Sequence, residues 1–436
     1  MLKQFIPNDY CLKCDVCCRF GQKNSIYAPK FLPSEVKRLG DRFFQTTILR
    51  KNLSPSCGGS YLCQYFSPFA NSCNIYANRP LDCQLYPFMV TYDKEYENII
   101  LCIDTKCPYV KKMGVPDTIN VETRLIASLP HDFIMPYQHD TIKIATIKNL
   151  GGFKALALEH RDIFNKYLAE PEYSTRTFVN IYIWSDLFNI MWKIVDNNLC
   201  VFYEYKNEFN MLLPAVSGTR LLKPGSRIEN IAEDEVEAFK SLGVKVHKNT
   251  DEYVYLAKDI AELKGNKFAS HRAAKNNFVK NNKFIYRPFE TNDIDECLAL
   301  YHKWIKIKMG TGLKPVPIFR DSVQQQLMEE SLSAHKKAML DYEELGLIGR
   351  VVEINNKIKA YTFAFKLNAD TYCIIFETTD INIKGLAEFI FSSFAKEISK
   401  EAKYINAMDD SGLENLKKTK LSWHPSKILT SYIAER

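Results

Sequence analysis

The chain has 436 residues, 46% of them apolar and 25% charged, with a net charge of +7. That length exceeds a usual single domain and the balance is that of a globular chain, so two or three domains are expected. No stretch reaches the roughly 18 apolar residues of a membrane-spanning helix, and MLKQFIPNDY lacks the apolar core of a secretion signal. A cytoplasmic setting is therefore expected, where stable disulfides are rare. The mild positive charge hints at an acidic partner.

Taken in chain order, residues 1–112 are rich in loops and in cysteine. Ten of the 13 cysteines lie at or before Cys107, and only Cys200, Cys297 and Cys373 follow, as small buried hydrophobes. Gly114 and Pro116 mark a boundary, and 113–159 is read as a linker or helical connection. RDIFNKYLAE has the spacing of a helix. TFVNIYIWSDLFNIMWKIV and the runs after it predict a helix followed by paired strands, with Asn197-Asn198 as a turn. LKGNKFASHRAAKNNFVKNNKFIYR is basic throughout, and residues 291–309 read as a helix. LIGRVVEI, IKAYTFAFKL and TYCIIFE are β-rich runs, the first two joined by Asn355-Asn356, a hairpin signal. GLAEFIFSSFAKEISKEA then places Leu386, Phe389, Ile390, Phe394 and Ile398 on one helical face.

In CLKCDVCCRF, Cys11, Cys14 and Cys17 repeat a two-residue gap that lets neighbouring sulfurs reach one ion from a tight turn. Cys18 is different, because adjacent side chains diverge. Cys17 and Cys18 therefore serve two centres, or one of them is structural. Dense, closely spaced thiols in a reducing compartment read as metal ligands, and thiolates suit zinc, iron or iron–sulfur clusters. With Cys63, Cys73, Cys83 and Cys107 the count is enough for two four-thiolate sites. Cys57 and Cys102 stand as additional nearby thiols. The plain alternative is a zinc site that only holds together a segment with little core.

These motifs, with Cys73-Asn74-Ile75-Tyr76, Arg79-Pro80, Cys83 and Tyr86-Pro87-Phe88, resemble the zinc- or iron-chelating CxxCxxCC cysteine-cluster family over roughly the first 110 residues. Gln84 stands where that pattern has Arg. A related cluster in flagellin lysine N-methylases is thought to hold an iron–sulfur centre.

The strand–strand–strand–helix order from Leu345 to Lys400 resembles an N-acetyltransferase (GNAT) core, in which a helix N-terminus receives a phosphate group. Lys384, Gly385 and Ala387 are a fragment of the coenzyme A signal. LKGNKFASHRAAKNNF, FETTD and YINAMDDSGLENLKKTKLSWHPSKI resemble the C-terminal domain of phosphatidylglycerol lysyltransferases, from about residue 160 to the end. TFVNIYIW, with Trp184, matches the start of its first unit. Asn406-Ala407-Met408-Asp409-Asp410 replaces the Asn-Arg-Glu-x-Asp of that family. The resemblance implies an α+β or α/β protein, a cysteine-rich module followed by two tandem GNAT-like units, with boundaries at 160–268 and 269–436, and aminoacyl-tRNA as a donor.

The residues support a compatible set of roles. His271, Arg272 and Lys275 lie on a basic helix and could meet a phosphate or a tRNA 3′ end, or could form a solvated face. Glu377 and Asp380, at a strand end, could polarise an amine nucleophile, or could pair with Lys417 or Lys420. Lys417 and Lys420 could cradle a phosphate or sit in solvent, as Lys384 and Gly385 could at the helix start. Asp409 and Asp410 read as helix-capping residues. The expected function is a metal-binding acyltransferase moving an acyl or aminoacyl group, from aminoacyl-tRNA or acyl-CoA, to an amine of a peptide, protein or small molecule. Zinc or an iron–sulfur cluster is the expected cofactor and tRNA a candidate partner, with neither DNA nor a membrane span. The alternatives are an iron–sulfur-dependent protein-modifying enzyme and a non-catalytic metal or redox sensor.

Overall fold

The computed structural model describes residues 6–14, 16–23, 25, 27–32, 35–36, 49–52, 60–115, 133–205, 208–308 and 322–435. The chain divides into two units, Met1–Ala155 and Leu156–Arg436. Cys57 and Pro116 lie outside the described residues.

In the first unit, short elements carry the cysteines. Cys11 lies on helix Asn8–Lys13, Cys17 and Cys18 on the 3-10 turn Val16–Cys18, and Cys83 on helix Leu81–Leu85. Cys63 and Cys73 end the strands Tyr61–Cys63 and Ser72–Cys73. The local core rests on a few side chains, among them Phe20, Leu49, Leu62 and Phe66. That is little apolar burial with which to hold so many loops. An antiparallel sheet of Phe88–Tyr92, Asn98–Asp104 and Thr141–Asn149 follows. Thr141–Asn149 falls in the segment read from sequence as a connection, so that segment contributes a strand to this unit.

The second unit contains the same strand pattern twice. In the first half, β1 (Asn189–Val195), β2 (Asn198–Tyr205) and β3 (Glu208–Leu213) form an antiparallel meander, and β4 (Arg227–Ile231) joins β3 in parallel. A last strand, β5 (Lys245–Leu256), follows. Helices α1 (Ala257–Glu262) and α2 (Ala269–Asn281) lead to β6 (Ile285–Pro288). After α3 (Ile294–Lys308) and α4 (Ser322–Leu340), the meander returns as β7 (Ile348–Ile354), β8 (Lys357–Asn368) and β9 (Thr371–Thr379). Helix α5 (Leu386–Ile398) crosses over to β10 (Tyr404–Asn406), parallel to β9, and α6 (Glu414–Ser422) leads to β11 (Lys427–Glu435).

One mixed sheet holds these strands in the order β6-β7-β8-β9-β10-β5-β11-β4-β3-β2-β1. Each half therefore places its last strand beside the other half: β5 pairs with β10, β11 pairs with β4, and β5 and β11 pair with each other. The tandem α/β fold expected from the sequence is present. Its helix α5 buries Leu386, Phe389, Ile390, Phe394 and Ile398, in clusters with Ala360, Ala364 and Ile374 of β8 and β9.

Both hairpins use left-handed turn residues. Asn355-Asn356 forms the β7–β8 turn as read, with both φ values positive. The β1–β2 turn is Asp196-Asn197, one residue earlier than expected. A two-residue turn with both φ values positive accepts Asp as well as Asn, and the register Val195 to Asn198 selects the earlier pair. Among the described residues no helix is long and apolar enough to cross a membrane.

Candidate active site and candidate metal centre

The parallel pair β9–β10 makes the candidate active site. Thr371, Tyr372 and Cys373 pair with Tyr404, Ile405 and Asn406, and there β10 ends while β9 runs on to Thr379. The strands part beyond Asn406, and Glu377 lies on the continuation of β9 that pairs only with β8. Its side chain is reached by solvent, yet it is crowded enough that burial pushes its carboxyl up to about 8. Thr362 and Lys420 work against that rise, and the charge of Glu388 on α5 adds to it. Thr362, fully buried and opposite Glu377 in the β8–β9 register, has a hydroxyl with no hydrogen bond of acceptable geometry.

The corresponding gap in the first half is closed. Asn210 accepts from the Arg227 amide at 2.7 Å and Asn230 donates to the Leu212 carbonyl at 3.0 Å, lacing β3 to β4. The crossover there is the short 3-10 segment Val216–Leu221 instead of a long helix. A Cβ on Gly218 within it would lie 2.7 Å from the Cys200 sulfur.

The other residues singled out from sequence have varied placements. Asp380 is 5% exposed and sits between Lys303 at 2.9 Å and Lys359 at 3.2 Å. Its other oxygen accepts from the Asn382 amide, closing the turn into α5. Burial would raise its carboxyl, but these partners outweigh it and hold it at about 2. Lys303 and Lys359, and not Lys417 or Lys420, are thus its partners, and its lone pairs are committed to structure. Asp380→Asn is expected to cost about 1–2 kcal/mol of stability while leaving turnover in place. Since the folded carboxyl is held below its ordinary range, that contribution is present at neutral pH and disappears as pH falls toward 2. Denaturant melts at pH 7 and pH 3, alongside a rate measurement, check this.

Arg272 donates to the carbonyls of Leu263 and Gly265, satisfying the end of α1. Lys275 is half-buried, its ammonium pushed down by burial and by Lys396. Lys384 is exposed. Gly385, at φ +81°, touches α2, and a Cβ there would come within 2.1 Å of the Ala274 carbonyl oxygen. Close helix approach therefore explains this glycine without a phosphate. Glu388, in the first turn of α5, has its Oε1 3.8 Å from His271 Nδ1, and the histidine and its own backbone amide hold its carboxyl down. An anion at this helix start would meet a carboxylate and a carbonyl.

Lys420 donates to the Ala407 and Met408 carbonyls and so holds the loop after β10; burial pushes its ammonium down. The charge of Lys417 acts on Asp251. Asp409 and Asp410 do not cap α6: they accept from the Ser411 and Gly412 amides, and Asp410 also accepts from Tyr253 at 2.6 Å. Glu252, 1% exposed, ties Ser174 to Asn406 and fixes the end of β10. Glu388, Thr362 and Glu252 are further residues that the structure brings to this region. An acid three residues after a helix-starting glycine was a usable signal for Glu388, whereas Thr362 and Glu252 depend on strand register.

In the first unit, Cys11, Cys14, Cys17, Cys18, Cys63, Cys73 and Cys83 line one recess, with Tyr65, Tyr76 and Arg79. Cys107 is buried and outside that lining, while Cys102 lies with its sulfur 3.5 Å from the Met89 carbonyl. Arg79 stacks over Tyr76 at 4.2 Å, and Gln84 bonds the Arg79 carbonyl. Burial pushes the Cys63 thiol up to about 11 and raises Cys73 and Cys83, with the neighbouring sulfurs adding to the rise. Cys18 is raised first by its bond to Cys17. Among the described residues no three His, Cys, Asp or Glu side chains are already drawn into a closed ligand set. The donor chemistry nevertheless fits a soft cation, which relieves the repulsion of clustered thiolates.

The fold and site define a tandem acyltransferase-like α/β unit joined to a cysteine-rich unit. Residues 228–435 match the family model for the C-terminal domain of phosphatidylglycerol lysyltransferase, and residues 10–108 match the CxxCxxCC model, "Putative zinc- or iron-chelating domain". The first match begins inside the first half of the second unit, whose strand pattern reaches back to Asn189. A conserved protein of unknown function from Bacteroides thetaiotaomicron is 25% identical over 65% of this chain and 98% of its own, with a TM-score of 0.57. L-PGS from Bacillus licheniformis is 12% identical over 64% of this chain and 91% of its own, with a TM-score of 0.43. No curated protein matches the chain.

Proposed function

We propose that the second unit transfers an acyl or aminoacyl group to an amine of a peptide, protein or small molecule, and that the first unit binds zinc or iron through its cysteines. The carrying observation is Glu377, solvent-reached and poised at about 8 where two parallel strands part. A carboxyl near the working pH suits proton removal from an amine as it attacks an activated carbonyl. Lys420 steadies the 407–408 loop after β10.

The helix start that serves coenzyme A in acetyltransferases is filled here by Glu388 and by the Ala274 carbonyl. That favours an aminoacyl ester over acyl-CoA as donor, in keeping with the lysyltransferase family match. The thiolates around the first recess would hold the metal; zinc there would supply cross-linking of a unit with little core, and iron would add redox capacity.

The test is to incubate protein purified without oxygen with labelled aminoacyl-tRNAs and labelled acyl-CoAs plus candidate amines, reading acceptor mass. Aminoacyl transfer is the expected result. Turnover with neither donor overturns the reading. Metal analysis of the same sample is expected to give stoichiometric zinc or iron, lost on replacing Cys14 and Cys17 with Ser.

A further inference from the structure

The opening beyond Asn406 has two walls. One is the continuation of β9, which stays with β8. The other is the segment after β10, which stays with β5. There the Ala407 amide donates to the Tyr253 carbonyl at 3.0 Å, and the Tyr253 amide donates to the Met408 carbonyl at 3.2 Å. The Tyr253 hydroxyl donates to Asp410 at 2.6 Å. Since β5 is the last strand of the first half, the half whose own gap is closed carries one wall of the other half's opening.

Two buried side chains meet where the walls part. Glu252 on β5 is 1% exposed and Asn406 is fully buried. The Asn406 amide nitrogen donates to Glu252 Oε2 at 2.6 Å, and the Asn406 Oδ1 accepts from the Met408 amide at 2.7 Å. Glu252 also accepts from the Ser174 amide at 2.9 Å and from the Ser174 hydroxyl at 2.8 Å. A carboxylate can only accept, so Asn406 has one orientation, nitrogen toward Glu252 and oxygen toward Met408. Met408 is left-handed, at φ +60°, a conformation that a side chain resists unless its surroundings hold it. The Asn406 oxygen supplies that hold and turns the chain away from β9.

We infer that Glu252 is a positioning residue for the transfer: through Asn406 it fixes the 406–408 wall of the opening in which donor and acceptor meet. The inference rests on the transferase reading above. Glu252 touches neither substrate in this scheme, and it acts from the first half of the unit on the site of the second.

The experiment reverses the pair. Glu252→Gln sets an NH2 group against the Asn406 NH2, donor against donor, so the Met408 amide loses its acceptor. Glu252→Gln combined with Asn406→Asp restores the pattern in the opposite sense: the new amide donates to one carboxylate oxygen and the other accepts from Met408. Wild type, the single variant, the double variant and Asn406→Ser are compared in the full chain by kcat, KM, melting temperature and hydrogen exchange over residues 404–413. Well below its melting transition, Glu252→Gln is expected to lower kcat by about 10²-fold with KM little changed, the loss that a displacement of about 1 Å produces. Exchange at the Met408 amide should quicken. The double variant should recover most of the rate and the slow exchange. Should Glu252→Gln not fold, Asn406→Ser carries the test, because it leaves Glu252 with Ser174 and removes only the link to Met408; the same loss of kcat is expected. Two results overturn the inference alone: a folded Glu252→Gln or Asn406→Ser as fast as an active wild type, or a double variant that regains melting temperature but no rate. An inactive wild type overturns the transferase reading and this inference with it.

Discussion

Glu377→Gln is expected to cut kcat by about 10²–10⁴-fold and, in the same protein, to raise the melting temperature at pH 8 and above. The two effects share a cause. The carboxyl ionises near 4.5 in an unfolded chain and near 8 in the fold, so folding disfavours its charged form. Below pH 4.5 both states are protonated and the residue contributes nothing. As pH rises from about 4.5 to about 8, the unfolded chain gains a charge that the fold resists, and native stability falls; above 8 the deficit is constant. Gln carries no such deficit, so the gain in melting temperature should be absent at pH 4 and full at pH 9. The wild-type rate should rise through about pH 8 as Glu377 loses its proton, with burial setting the midpoint first and Thr362, Glu388 and Lys420 adjusting it. Retained turnover in Glu377→Gln, or a melting gain of equal size at pH 4 and pH 9, would rule the assignment out.

Gly385→Ala is the second large effect. The backbone there is left-handed, which an L side chain resists by about 1–2 kcal/mol. The added Cβ would also press on the Ala274 carbonyl oxygen at 2.1 Å and its carbon at 2.8 Å. The obstacle is backbone in the middle of α2, not the tip of a flexible side chain, so at least about 1–3 kcal/mol of overpacking is added. A loss of about 3 kcal/mol or more by chemical denaturation is expected. Because relief requires α2 to move away from α5, His271 should also move away from Glu388. A variant within about 1 kcal/mol of wild type would mean that the two helices do not meet at this glycine.

Much of the architecture was legible because it rests on local signals. The runs of β7, β8 and β9, the Asn355-Asn356 turn and the apolar face of α5 each follow from periodicity or turn chemistry, and the cysteine spacing marks the first unit. What local pattern does not carry is pairing between distant segments. That Asp380 is taken by Lys303 and Lys359 depends on α3 lying over β8 and β9. That Arg272 is spent on the end of α1 depends on a turn nine residues earlier. Thr362 meets Glu377 only through a particular register. Basic residues on α2 looked alike in the sequence, and only packing separates His271, held between Trp423 and Glu388, from Arg272, which serves its neighbours' carbonyls.

The reciprocal placement of the last strands has a consequence for biosynthesis. β11 lies between β4 and β5 in space, yet it is translated after every element it joins. Until it leaves the ribosome, part of β5 and the edge of β4 present unpaired backbone to water, a state prone to association with other chains. The strand that completes the first half is thus the same strand that ends the second, and neither half can mature ahead of the other. A nascent chain stalled before Lys427 would carry Glu377, Glu388 and His271 but would lack the strand that joins their half of the sheet to the rest.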